Sequence, residues 1–249
     1  MIKRRVLLLL IFYVSIGLLG QYAKTKFTDV GIEYARDLSD FDNKIIQIEN
    51  GMEKKKQYKQ HYQKYFDYYV TAWDESECII IGEATGKYRS DSYSGIQEIV
   101  VHKVLKGDRE ELTDQTIWVA DMGGFKWDEK EKLCRYASFN SLMQKENQYL
   151  IFMNSYQITS GLYNETNIKM EEFGYENYYS LSGGYFSYLN MDRDTNSLMP
   201  ERENYVYRYG DIKDYEFFCK EEKILEIRNE IKHEIIKRCL EKYSGEKRN

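Results

Sequence analysis

Two apolar, β-branched segments that lie close together constrain the fold of this chain most. The first, 78–84, has the sequence CIIIGEA, and the second, 96–105, has the sequence IQEIVVHKVL. Short runs of this kind, bounded by Gly, Ser and Asp, predict a β-hairpin with a loop over 86–95. Gly82 interrupts the first strand, which indicates a bulge or a bend. The second strand is apolar on both faces, so it is expected to be covered on both sides.

Further strands and two helices are predicted around this hairpin. Aromatic residues recur at intervals of three and four from Tyr62 to Trp73, which predicts an amphipathic helix ending near 74–76. A long C-terminal helix is predicted over 212–243. Its apolar stripe is expected to dock on the barrel or on the aromatic helix, and the alternative is pairing with a second copy as a coiled coil, which the short run of regular spacing disfavours. The stripe consists of Ile224, Ile227, Ile231 and Ile235. The additional strands are predicted at 116–120, 148–154, 185–191 and 205–209.

The order of the strands resembles the OB-fold barrel of the netrin-module and tissue-inhibitor-of-metalloprotease group, and of secreted bacterial proteins with the same pattern. The resemblance implies an α+β fold, an OB-like antiparallel β-barrel with a preceding amphipathic helix and a long C-terminal helix. It does not extend to inhibition, because the inhibitors chelate the protease zinc through an N-terminal cysteine, whereas Cys78 lies inside a strand. The matching segments are ECIIIGEA at 77–84, VLKG at 104–107, IWV at 117–119 and NQYLIF at 147–152.

The N-terminus combines three basic residues with an uncharged, apolar run over 6–20. This pattern predicts a membrane-targeting segment, either a cleaved signal peptide or an uncleaved anchor. Residues 21–23 (Gln-Tyr-Ala) fit a cleavage site poorly, which favours a single-pass anchor in the cell membrane with the rest of the chain outside the cytoplasm. The composition, rich in Lys, Ile, Tyr and Asn with one proline, is typical of an AT-rich bacterial genome.

The division predicted from these features has four parts around one core. They are the anchor or signal segment (1–23), a membrane-proximal linker and helix (24–75), the barrel domain (76–210) and the C-terminal helix (211–249). Without the first 23 residues, 33 basic residues face 41 acidic ones, a net charge of −8. An acidic chain lacks the Lys and Arg excess that nucleic acid requires, so nucleic-acid partners are excluded.

The cysteines and histidines form none of the usual site patterns. Cys78, Cys134, Cys219 and Cys239 have no CxxC spacing, so both disulfides and isolated core thiols stay open. His102 shares a strand face with Val100 and Val104, which favours a hydrogen-bonded core histidine over a catalyst. His61 and His233 are expected on polar helix faces. We therefore predict no catalytic, cofactor-binding or metal-binding residues.

One polar stretch has the spacing of a calcium loop. Asp192, Asp194, Asn196 and Glu203 occupy positions 1, 3, 5 and 12 of that motif. Serine at position 197 replaces the glycine that makes the sharp turn, and strands are predicted on both sides. A solvated hairpin loop is therefore the stronger interpretation.

These features together predict a membrane-tethered, extracytoplasmic binding module without catalytic activity. Its partners would be the membrane, through the N-terminal segment, and a protein or another component of the cell envelope. The alternative is an envelope enzyme or enzyme inhibitor whose site is assembled from distant residues. A barrel filled by side chains favours binding, whereas a pocket with converging carboxylates favours the enzyme.

Overall fold

The computed structural model describes residues 33–48, 58–90, 95–121, 125–128, 133–136, 140–155, 178–183 and 186–245. In chain order its elements are β1 (Glu33–Asp37), β2 (Ile45–Ile48), α1 (Tyr58–Glu75), β3 (Cys78–Ser90), β4 (Gly95–Lys106), β5 (Thr116–Asp121), β6 (Phe125–Asp128), β7 (Leu133–Tyr136), β8 (Gln148–Ser155), β9 (Tyr178–Leu181), β10 (Tyr188–Asn190), β11 (Val206–Arg208), α2 (Tyr209–Ile212) and α3 (Glu222–Gly245). The predicted anchor at 1–23 lies outside the described residues. None of the helices that the structure describes is long and apolar enough to cross a membrane.

Five strands close a β-barrel in the order β3, β4, β5, β9, β8 and back to β3. All neighbouring pairs are antiparallel except β5 and β9, which are parallel. The interior is filled by buried apolar side chains from all five strands, among them Ile80, Ile99, Val119, Ile151 and Leu181. The α+β class and the OB-like barrel predicted from the sequence are thus confirmed.

The first hairpin differs from its prediction in length. β3 continues to Ser90, so residues 86–90 are strand and not loop. Tyr88 is buried there, and its ring lies 5.4 Å from Phe41 and 5.6 Å from Phe125 between ring centroids. The register does shift between Ile81 and Gly82, but the extra residue is His102, so the bulge lies in β4, opposite Gly82, and not in the first strand as predicted. A Cβ at position 82 would lie 2.5 Å from the side chain of Ile99, so the close approach of β4 requires glycine here.

The two long helices cover one outer face of the barrel. α1 ends at Glu75 as predicted, and its indole Trp73 Nε1 donates a hydrogen bond to Tyr243 Oη of α3 at 3.1 Å. All four isoleucines of the α3 stripe are buried against α1 and the barrel, which confirms the docked helix. Each contributes about 1.5–3 kcal/mol when fully enclosed. The helix predicted over 212–243 is shorter at its N-terminal end. Residue 212 is the last residue of the short helix α2, and α3 begins at Glu222.

A second sheet has four strands in the order β11, β2, β7, β6. Its apolar residues form a separate cluster, which includes Tyr88 from the C-terminal end of β3. Of the two later strands predicted, 205–209 contains β11, which belongs to this sheet, and 185–191 contains β10, which pairs with β8. The fifth barrel strand is instead β9, a four-residue segment that the sequence pattern did not predict.

Candidate functional site

A cleft of about 330 Å³ opens between α3 and the segment that follows β10. This volume is at the small end of the range for ligand sites, about 300–1,000 Å³. The wall on the β10 side, here called the loop wall, is formed by residues 190–194. The opposite wall, the helix wall, consists of Lys232, His233, Ile236 and Lys237.

The loop wall is held in place by hydrogen bonds to its own turn and to the barrel. Asn190 Oδ1 accepts the backbone N–H groups of Asp192 at 2.9 Å and Arg193 at 3.1 Å, which closes an Asx turn. The backbone N–H of Gln148, the first residue of β8, donates to Asp192 Oδ2 at 2.6 Å. The position of this wall is therefore set by the barrel and not by the loop alone.

The floor of the cleft is built around Lys232, whose side chain is 2% exposed. Its ammonium group lies 2.8 Å from Asp194 Oδ1 and 2.8 Å from Glu216 Oε2, and it also donates to the carbonyl of Arg193. An ammonium carries three protons, so all three have an acceptor. Two carboxylates thus converge on one buried cation.

The two carboxylates are shifted in opposite directions. Burial raises the pKa of Glu216 above its ordinary value, although the charge of Lys232 opposes this shift. Burial also acts to raise the pKa of Asp194, but the hydrogen bond and charge of Lys232, followed by those of His233, outweigh it and lower that pKa. His233 Nε2 lies 2.9 Å from Asp194 Oδ1.

A buried polar chain leads from this floor into the rest of the protein. Glu216 Oε1 accepts the backbone N–H of Asn190 at 2.7 Å, and the side-chain amide of Asn190 donates to Tyr149 Oη at 3.3 Å. Gln144 bonds to Tyr149 Oη through its backbone N–H and to Tyr209 Oη through its side chain. Burial raises the pKa of both tyrosines, so their hydroxyls stay protonated. Tyr149 belongs to the barrel cluster and Tyr209 to the cluster of the second sheet, so the chain joins these two clusters.

One turn earlier on α3, Arg228 is also buried, with quite different neighbours. Its guanidinium lies over three aromatic rings, 4.4 Å from the centroid of Phe217, 4.8 Å from Tyr65 and 5.5 Å from Phe186. Arg228 Nη2 donates to Asn140 Oδ1 at 2.6 Å, and its Nε has no hydrogen-bond partner in the described part of the chain. Arg228 thus fixes α3 against α1 by cation–π contacts.

The histidines predicted from the sequence have different outcomes. His102 is exposed and not in the core, and its Nε2 lies 3.3 Å from Glu83 Oε2. The reason is a register shift, since Ile81 pairs with Lys103 and Gly82 with Val101, leaving His102 as the extra residue of a bulge. His233 is exposed on α3, as predicted, and it lines the cleft. The side chain of His61 lies outside the described part of the structure.

The calcium-like stretch does not converge on one point. Asp192 bonds to the backbone of β8, whereas Asp194 faces the ammonium of Lys232. Asn196 and Glu203 are exposed. Among the described residues, no three His, Cys, Asp or Glu side chains are grouped so that they could hold a metal ion.

All four cysteines are buried thiols, in agreement with the core-thiol alternative. Cys78 is in the barrel interior, Cys134 in the cluster of the second sheet, and Cys219 and Cys239 in the helix cluster. Burial raises the pKa of Cys78 to about 11 and that of Cys239 to about 12. Neither group is a thiolate at neutral pH, which makes both poor nucleophiles.

The residues of the cleft floor were not predicted from the sequence. A signal for them exists, because Arg228 and Lys232 fall on the same face of α3 as the isoleucines Ile224 and Ile231. A cation within an apolar stripe indicates a buried partner, but it does not identify that partner. No protein-family model matches the chain, and no curated protein sequence matches it either.

Proposed function

We propose that the protein is a membrane-tethered, extracytoplasmic binding module without catalytic activity, and that the cleft between α3 and the loop wall is its ligand site. The observation that carries this proposal is the saturation of the cleft floor. Every proton of the Lys232 ammonium and both oxygens of Glu216 are engaged in hydrogen bonds within the protein. A general acid or base must present a free proton or a basic lone pair to the substrate. Lys232 has no free proton, Glu216 is buried and does not line the cleft, and the lowered pKa of Asp194 makes its carboxylate a weak base.

The filled barrel supports the same proposal. Its interior is occupied by buried side chains, so a ligand has to bind at the outer surface. One outer face is covered by α1 and α3, and the cleft lies at the margin of this cover. The extracytoplasmic location rests on the apolar segment 6–20 and the basic residues before it.

The location is tested by fusing a reporter that is active only outside the cytoplasm after Asn249. We expect an active reporter and retention of the full chain in the membrane fraction. An inactive fusion contradicts the topology, whereas release of the whole domain into the medium contradicts the tether.

A rival function, a cell-envelope enzyme with a site assembled from distant residues, is favoured by one observation. Asp194 and Glu216 converge within 2.8 Å of Lys232, and His233 is adjacent. The two functions differ in the fate of the ligand. Envelope components incubated with the full chain should be recovered chemically unchanged by mass spectrometry. Reaction products that form with the unmodified protein but not with Glu216→Gln would contradict the binding module and support the enzyme.

A further inference from the structure

The charges at the cleft fall into two groups, those that are paired within the protein and those that are not. Lys232 and His233 are paired with Asp194, and Arg193 Nη2 lies 3.1 Å from Asp214 Oδ1. These pairs leave two groups at the cleft. Lys237, on the helix wall, and Asp192, on the loop wall, form no ion pair with any residue that the structure describes.

The two groups have opposite charges and stand on opposite walls. Asp192 has one backbone N–H donor, from Gln148, which uses one of its four lone-pair sites. Lys237 is exposed and has three protons. A carboxylate and an ammonium that lie across a cleft without contacting each other offer complementary positions to a ligand that carries both charges.

Each wall also contributes one apolar side chain to the cleft. Met191 on the loop wall and Ile236 on the helix wall both line the cleft, and both are partly buried against the helix cluster. Ligand sites characteristically combine apolar contact with a few polar groups that fix orientation. The cleft therefore has room for a short apolar group next to the two charges.

We propose that this cleft binds a small zwitterion with an apolar side chain, a molecule of the class of free α-amino acids or short peptides with both ends free. Its ammonium pairs with Asp192, its carboxylate with Lys237, and its side chain contacts Met191 and Ile236. A simple anion fits less well, because it leaves Asp192 unpaired beside it, and a simple cation leaves Lys237 unpaired. This inference rests on the proposed binding function and specifies its ligand.

The test uses the full chain in lipid nanodiscs, with empty nanodiscs as the blank. The probes are leucine, leucine amide, N-acetyl-leucine and the dipeptide Leu-Leu. Binding is followed by NMR through the methionine methyl resonances, with that of Met191 assigned from Met191→Leu. The variants are Asp192→Asn, which keeps an oxygen for the N–H of Gln148, and Lys237→Met, which keeps the length of the side chain. Lys223→Met is the matched control, an exposed lysine of α3 outside the cleft.

Leucine is expected to bind the unmodified protein and Lys223→Met equally, and each cleft variant about tenfold or more weakly. Amidation should weaken binding to the unmodified protein but not to Lys237→Met, since the carboxylate contact is already absent there. N-acetylation should in the same way have no effect on Asp192→Asn. Stronger binding of Leu-Leu than of leucine assigns the site to peptides, and the reverse assigns it to free amino acids.

Three results overturn the inference: no shift of the Met191 methyl with leucine or Leu-Leu, equal binding of leucine and its two derivatives, or unchanged affinity in both cleft variants. None of these bears on the topology, so an active reporter at Asn249 together with one of them removes the zwitterion and leaves the tethered module. An inactive reporter together with the expected binding pattern removes the extracytoplasmic location and leaves the zwitterion site.

Discussion

The helix α3 buries two cations one turn apart and compensates them in different ways. Arg228 is surrounded by the rings of Phe217 and Tyr65 and by one amide oxygen, whereas Lys232 is surrounded by the carboxylates Glu216 and Asp194. Aromatic rings keep their attraction for a cation at every pH, but carboxylates lose theirs when they are protonated. The first contact therefore acts as permanent packing and the second depends on solution conditions.

The largest effect is expected when the buried carboxylate partner of Lys232 is removed. Glu216→Leu leaves the ammonium with Asp194 as its only carboxylate, and breaking a buried pair costs about 3–5 kcal/mol. The free energy of unfolding, from urea denaturation of the full chain, should fall by that amount. The double variant with Lys232→Met should recover most of the loss, because an apolar pair of similar volume often replaces a buried ion pair without penalty. Equal losses in the single and double variants would show that packing, and not charge, is disturbed.

A smaller loss is expected at the aromatic site. Arg228→Met retains much of the apolar stem but removes the cation from the rings, which is worth about 2 kcal/mol for a desolvated contact. The loss should vary little between pH 4 and pH 8, because neither the rings nor the Asn140 amide titrates in that range, and the charge of Arg228 lowers the pKa of Glu216 less than that of Lys232 does. A loss that varies strongly with pH would mean that Arg228 is closely coupled to Glu216 and that the two sites are not independent.

The pH dependence of the carboxylate site follows from the direction of the shift at Asp194. Because the folded protein lowers the pKa of Asp194 below 3.8, through Lys232 and His233 against the effect of burial, its contribution is complete above that value and is lost as the pH falls through the lowered pKa. Asp194→Asn should therefore be less stable than the unmodified protein at pH 6, by about 1 kcal/mol, and the two unfolding curves should converge as the pH falls through the lowered pKa of Asp194. Glu216 titrates in the opposite sense and is present in both proteins.

The smallest effect is expected at the exposed pair of Arg193 and Asp214, where the carboxylate side chain is 64% exposed. Asp214→Asn should change the free energy of unfolding by no more than about 0.5 kcal/mol, because solvent screens exposed ion pairs. Addition of 0.5 M NaCl should reduce even this difference. A loss comparable to that of Glu216→Leu would show that the loop wall is held by its rim and not by its floor.

The sequence predicts those parts of the fold whose own residues show a regular spacing or a typical composition. Ile224 to Ile235 show helical spacing, and Ile79 to Ile81 are β-branched, so α3 and β3 were both identified. β9 is four residues long and has no alternation that distinguishes it from a loop. His102 was misplaced because the bulge shifts the alternation of β4, so that Val101 and Val104, and not Val100 and Val104, face the barrel interior.

The cleft could not be predicted for a related reason. Lys232 contacts Glu216, 16 residues away, and Arg193, 39 residues away, whereas Arg228 contacts Asn140, 88 residues away. Such partners are brought together by packing between elements and leave no local pattern. The sequence does show that two cations interrupt an apolar stripe, which is enough to expect buried partners on other segments.

The pairing of α1 with α3 also has a consequence for the order in which the chain can mature. Residues 76–221, 146 in number, separate the end of α1 from the start of α3. At a synthesis rate of about 5–20 residues per second, the aromatic face of α1 is complete roughly 7–30 s before synthesis of the covering helix begins. During that interval the surface of α1 that α3 covers, which includes the indole of Trp73, is available to chaperones, proteases and neighbouring nascent chains, and a product that stops before Glu222 leaves this surface uncovered.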